Sequence, residues 1–299
     1  MTSALRAWWS AARPKTLWAS VAPVLMGTAV AAVEGAPHLP AAAAALACAL
    51  LIQVGTNLAN DYFDARKGAD TAARIGPRRA LQEGLLSAGA VRAGFAICFL
   101  LAVLLGAYLL ARGGWPILLI GLGSVALGLL YTGGPAPLAY RGLGDLFAFL
   151  CFGPVAVAGT AYVQTLAWSA AGLWGGVAAG GFSLALLTVN NFRDMVGDAR
   201  AGKRTLVVRL GPAFARAELA AAIGLAALAP LAMIAWLQVT PLLAAPALLA
   251  GLSLPGILRA VAEEPGEDPA FGARMNGLLA RVGRLELLYA LLFSAALLI

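Results

Sequence analysis

The chain has 299 residues, of which 61% are hydrophobic and 12% charged, with 21 lysines and arginines against 14 aspartates and glutamates. Soluble domains run nearer half apolar and a quarter charged. This composition, with repeated apolar runs of roughly 20 residues, excludes an ordinary soluble domain and points to a chain that crosses a membrane many times.

The N-terminal stretch MTSALRAWWSAARPKTLWASVAPVLMGTAVAA places basic residues before an apolar run, as a signal peptide does. That run is too long for an ordinary signal core and further spans follow, so we read it as a retained first span. Nine runs are expected to cross the bilayer, near residues 15–34, 39–60, 91–112, 115–131, 144–165, 168–191, 215–236, 239–262 and 278–298. Each is a continuous apolar block without two-residue alternation, which predicts helices rather than barrel strands. The fold class is therefore all-α, a polytopic bundle, and no linker or composition shift divides residues 1–299 into more than one domain.

The second run ends in NLANDYFDARKGAD, which holds Asp61, Asp64 and Asp70 beside Asn57, Asn60 and Lys67. The sixth ends in NNFRDMVGDARAGKRT, with Asn190, Asp194, Asp198 and Lys203. Cys48, Cys98 and Cys151 sit singly inside apolar runs and read as small buried side chains. The glycines of GLGSVALG, Gly121 to Gly128, also lie inside a run, where helix packing is the expected role. His38 falls in a short turn and is assigned no role, and the tryptophans fall mostly near span ends, as interfacial anchors do. The acidic segment EEPGEDPAFGAR, Glu263 to Arg274, reads as a solvated loop.

Nine spans put every lysine and arginine except Arg112 on one face, 20 of the 21. By the positive-inside rule that face is cytoplasmic. The N-terminus and both aspartate clusters lie there, and the C-terminus lies outside. Long loops belong to the same face, which is where functional loops are expected.

On a helix, residues three, four and seven apart share a face. Asn57, Asp61 and Asp64 thus form one stripe, and Asn190, Asp194 and Asp198 another. Five aspartates brought together near a bilayer carry too much charge to coexist unpaired. A divalent metal is the natural neutraliser, and Mg²⁺ suits hard carboxylates that share it with substrate phosphates. Lys67, Arg78, Arg141, Lys203 and Arg204 fall in the same belt, an alternation that fits a diphosphate held by metal on one side and cations on the other. In a membrane protein its other end is expected to be an isoprenoid.

These residues resemble the UbiA superfamily of intramembrane prenyltransferases, whose hallmark is two aspartate-rich motifs. The resemblance is carried by RPKTLWASVAPVLMGTA from Arg13, QVGTNLANDYFDARKGAD from Gln53, GPRRALQEGLLS from Gly76, YTGGPAPLAYRGLGD from Tyr131 and NNFRDMVGDARAGKRTLVVRLG from Asn190. Within the family, GTNLANDYFDARKGAD and the YTGGP…GLGD loop are most similar to the branch that prenylates 1,4-dihydroxy-2-naphthoate.

The resemblance implies a helical bundle around a lipid-open cavity, with Mg²⁺ as cofactor. Asp61, Asp64, Asp194 and Asp198 would hold the metal, and Asp70 would be a further ligand or a residue ordering its loop. Asn57, Asn60, Lys67, Arg78, Tyr131, Arg141, Asn190 and Lys203 would contact substrate. The implied partners are polyprenyl diphosphate, 1,4-dihydroxy-2-naphthoate and the bilayer of a bacterial-type inner membrane, with no nucleic acid. Two alternatives stay open: another branch of the family with a different aromatic acceptor, and a secondary transporter. Transporters place their charges near the membrane midplane, whereas these sit at one face.

Overall fold

The computed structural model describes residues 3–68, 75–76 and 79–299. Among them the chain is helical and has no strand, and the nine expected runs fall on helical segments, the fifth of them interrupted. Six helical segments are long and apolar enough to cross a membrane, and two shorter apolar ones, Trp18–Val33 and Trp115–Leu130, accompany them.

The chain opens with a separate helix α1, Ser3–Ala12, that had not been expected. It ends because Arg13 takes a left-handed conformation (φ 53°) and Pro14 starts a short 3-10 turn. Helix α2, Trp18–Val33, follows as the first apolar run. Helix α3, Leu39–Arg66, starts at His38, whose Nδ1 accepts from Ala41 N at 3.2 Å. The histidine is thus a helix cap. The helix runs six residues past the expected apolar limit and so carries Asp61 and Asp64 on a regular face.

Helices α4, Ala88–Gly113, and α5, Trp115–Leu130, come next. The fifth run is broken into α6, Gly144–Leu150, a π turn at Cys151–Val155, and α7, Ala156–Thr165. Pro154 lies in that turn, where it interrupts the backbone ladder. The turn is pressed onto helix α8, Ala170–Arg200, so closely that a Cβ on Gly153 would stand 2.5 Å from the Gly176 carbonyl oxygen. Helices α9, Leu206–Leu237, α10, Ala244–Ala260, and α11, Pro269–Leu298, complete the bundle.

The main core lies among α2, α7, α8, α9, α10 and α11, with Phe182, Phe192, Ile223, Met233, Tyr289 and Phe293 fully buried. Arg112, the one basic residue on the far side, is not facing water alone. Its guanidinium donates to the carbonyls of Val163 at 2.7 Å and Gln164 at 2.8 Å, at the C-terminal end of α7. That end carries the negative pole of the helix and its unpaired carbonyls, which accounts for the exception to the charge rule. The acidic loop at 263–267 is tied to neighbouring basic residues by Arg274–Glu263 and Arg200–Glu267, both at 2.6 Å.

Candidate active site

A cavity of about 1120 Å³ enters the bundle beside the first aspartate stripe. Its mouth is lined by Arg13, Asn57, Asn60, Asp61, Asn190 and Arg193, so residues from the ends of α3 and α8 meet there. Along α3 the lining continues from Asp61 to Ala45, sixteen positions or about 24 Å of helix at 1.5 Å per residue. Its far end is apolar, closed by Leu109, Ile117 and Val163. Val103 and Leu122 line it while 51% and 57% exposed, so it opens sideways between α4 and α5. Gly121 and Gly128 of α5 both line the cavity, but a Cβ on Gly128 would stand 2.4 Å from Thr56 Oγ1, whereas one on Gly121 would meet nothing within 4 Å.

Each of the four described aspartates of the two stripes, Asp61, Asp64, Asp194 and Asp198, is buried and paired with a cation. Asp61 accepts from Arg13 and lies 3.4 Å from Arg79 Nη1. Asp64 accepts from Arg79 Nη2 at 2.9 Å and from the Tyr140 hydroxyl at 3.1 Å. Asp194 receives two parallel bonds from its neighbour Arg193, at 2.7 and 2.6 Å. Asp198 Oδ2 lies 3.3 Å from Lys203 Nζ. The repulsion that argued for a metal is thus balanced in this structure by arginine and lysine. Two-pronged guanidinium–carboxylate bonds are strong and directional.

The asparagines position these groups. Asn57 Nδ2 donates to Ala12 O at 3.0 Å, fastening the end of α1 to α3. Asn60 Oδ1 accepts from Thr132 Oγ1 at 2.8 Å, and its backbone carbonyl accepts from Arg79 at 3.0 Å. Asn190 Oδ1 accepts from Arg193 at 2.7 Å. Tyr131, just past α5, lines the cavity, and its hydroxyl stands so close to Gly144 that a Cβ there would lie 3.1 Å from it.

Lys67 donates to the Thr132 carbonyl at 2.6 Å and lies over the Tyr140 ring. Desolvation lowers its ammonium pKa, and the Asp64 charge opposes that shift. Arg141 is exposed and is not among the residues that line the cavity. Asp70 and Arg78 lie outside the described residues.

Sequence reasoning passed over Arg13, Arg79, Tyr140, Arg193 and Asp145 as site residues. Arg193 is 1% exposed and also holds Asn276 at 2.8 Å. Asp145 accepts from Asn191 at 3.2 Å, both of them buried. A usable signal existed for two of these. Arg193 sits inside the second stripe, and Arg13 opens a quoted motif.

For Mg²⁺ the donor set fits in kind: hard carboxylate oxygens on two helix ends with amides between them. Among the described residues no group of three or more histidine, cysteine or acidic side chains is gathered to hold a metal. That arrangement suits a metal that binds through one or two carboxylates and completes its shell with substrate phosphates.

The UbiA prenyltransferase family matches residues 20–278. The 1,4-dihydroxy-2-naphthoate octaprenyltransferase of Haemophilus influenzae is 34% identical, over 99% of this chain and 96% of that protein. The protein of the same name from Mycobacterium tuberculosis is 42% identical over 70% of this chain and 71% of its own length. Among solved structures, a UbiA homolog from Archaeoglobus fulgidus bound to DMAPP and Mg²⁺ aligns with a TM-score of 0.70 at 16% identity, covering 98% of this chain and 99% of that one. The apo structure of a UbiA homolog from Aeropyrum pernix aligns with a TM-score of 0.69 at 19% identity, covering 96% and 98%.

Proposed function

The chain belongs to the UbiA prenyltransferase family, and from that premise we propose that it transfers a polyprenyl group from polyprenyl diphosphate to 1,4-dihydroxy-2-naphthoate. Carbon dioxide is lost and a demethylmenaquinol results. The observation that carries this reading is the union of a charged mouth, built from two aspartate-bearing helix ends, with a long apolar cavity open to lipid. The names of the relatives supply the acceptor.

Asp61, Asp64, Asp194 and Asp198 would hold Mg²⁺, which when bound with substrate neutralises the departing diphosphate. Arg13, Arg79 and Arg193 are placed to shift from carboxylate to phosphate oxygens, and Lys203 adds charge at the rim. Asn57, Asn60 and Asn190 fix these groups without adding charge, and Tyr131 lines the cavity beside them. Asp70, Lys67, Arg78 and Arg141 keep the roles that the family resemblance implies.

The apolar walls receive the tail and exclude water, which would quench an allylic cation. The carbon of the acceptor that bears the carboxylate forms the new bond to the prenyl C1 as the C1–oxygen bond to diphosphate breaks. The carboxylate then leaves as carbon dioxide, returning its bonding pair to the ring. No protein nucleophile is required. The site faces the cytoplasm of a bacterial-type inner membrane, the side on which the basic residues cluster.

The test is incubation of the purified protein with one prenyl diphosphate and a panel of aromatic acceptors, with products identified by mass. A prenylated naphthoquinol lacking the carboxyl group is expected. Prenylated 4-hydroxybenzoate or homogentisate in its place would put the chain in another branch.

A further inference from the structure

We propose that the amide groups of Asn190 and Asn276, both aimed by Arg193, form the cradle that receives the carboxylate of the aromatic acceptor. This assignment rests on the functional reading above and adds Asn276, on α11, to the site.

One guanidinium sets both amides. Arg193 Nη1 donates to Asn276 Oδ1 at 2.8 Å, and Nη2 donates to Asn190 Oδ1 at 2.7 Å. A guanidinium only donates, so each amide turns its oxygen to Arg193 and its two N–H donors away from it. Asn190 and Asn276 both line the cavity. The grip on Asp194 uses the edge that bears Nε and Nη2. Asn276 is held on Nη1, and so keeps its orientation when that edge exchanges carboxylate for phosphate. Arg193 is buried, and its planar fork fixes the two amides side by side.

The wall beside the amides matches the rest of the acceptor. Helix α8 runs toward the charged end of the bundle and α11 away from it, so Leu187 and Leu279 each lie three residues deeper than the asparagine of their own helix. Residues three apart share a helix face, and both leucines line the cavity. Each helix thus presents N–H donors above an apolar side chain, the order of a carboxylate borne on a flat hydrocarbon ring.

Charge development separates this cradle from the diphosphate site. The diphosphate gains negative charge as the prenyl C1–oxygen bond breaks, which calls for metal and arginine. The acceptor carboxylate loses its charge as it departs as carbon dioxide. A cation paired with it would favour the charged ground state over the transition state and slow that loss. Neutral amides orient the carboxylate while holding its charge less firmly.

The experiment uses the full-length protein in lipid nanodiscs, with each substrate varied in turn. Asn276→Asp keeps an oxygen for Arg193 but replaces the N–H donors with a negative charge. It is expected to raise KM for the naphthoate about tenfold, about 1.4 kcal/mol, and further than Asn276→Ala does. KM for the prenyl diphosphate should stay within about twofold. An Asn276→Asp protein with wild-type KM values would leave Asn276 only a support for Arg193 and overturn the assignment. Two KM values that rise together would overturn it as well.

Equilibrium binding in the absence of prenyl diphosphate supplies a readout independent of turnover. Wild-type protein should bind 1-hydroxy-2-naphthoate more tightly than 1-hydroxy-2-naphthamide. Asn276→Asp should reverse that order, because the carboxamide donates to the new carboxylate. Wild-type protein that binds both alike, or a variant that keeps the wild-type order, overturns the cradle. A wild-type protein that prenylates no naphthoate at all overturns the underlying functional reading instead.

Discussion

Arg79 Nη2 donates to Asp64 Oδ2 at 2.9 Å, and from the same guanidinium Nη1 stands 3.4 Å from Asp61. One buried arginine thus bridges the two aspartates that lie three apart on α3, and its contact with the Asn60 carbonyl ties the 79–87 segment to that helix. Removing one member of a buried pair strands the other, a loss of about 3–5 kcal/mol. Arg79→Ala should therefore lower the melting temperature clearly in detergent, and adding Asp64→Asn should recover part of the loss. An Arg79→Ala protein as stable as wild type would show that the bridge contributes nothing.

Asp61→Ala and Asp194→Ala should each cut turnover by about a hundredfold or more, the scale expected when charge stabilisation of a leaving group is removed. Each variant also strands an arginine partner, so turnover is compared per amount of folded protein, with Asp61→Asn and Asp194→Asn as better-tolerated companions. Prenyl transfer assayed against protein amount decides the matter, and near-normal activity in either variant would remove the metal assignment.

Chelation with EDTA should abolish activity, and added Mg²⁺ should restore it, because a metal held through a few carboxylates and substrate phosphates exchanges with a chelator. Full activity after exhaustive chelation, checked by metal analysis, would contradict that account.

Asn57→Ala should release α1 more than it harms the bundle, since the Asn57 side chain holds Ala12 O at 3.0 Å. A net loss of about 1 kcal/mol is the usual scale for one such bond. Limited trypsin digestion should then cut faster after Arg6 and Arg13, while fragments from α8 to α11 appear at the wild-type rate.

The spans and the two aspartate stripes were legible in the sequence because both rest on local periodicity. An apolar run marks a helix, and Asn57, Asp61 and Asp64 share a face by spacing alone. Asn190, Asp194 and Asp198 repeat that pattern, and the cavity mouth between α3 and α8 is where the two ends meet. What neutralises the aspartates was not legible. Arg13 lies 48 positions from Asp61, and Arg79 lies 15 from Asp64 across a loop. Finding Arg79 as a partner of Asp64 needs the three-dimensional path of the chain, which no spacing rule supplies. Helix α1 was hidden for a related reason, being too short and too mixed in character to register beside the apolar runs.

The most direct test of decarboxylative transfer is to count carbon dioxide. With naphthoate labelled at its carboxyl carbon and one prenyl diphosphate, label released as carbon dioxide and prenylated product are measured in the same reaction. The account predicts one carbon dioxide per prenylated ring, with both falling together in Asp61→Ala. A prenylated product that retains the label, or carbon dioxide released without prenyl transfer, would contradict it.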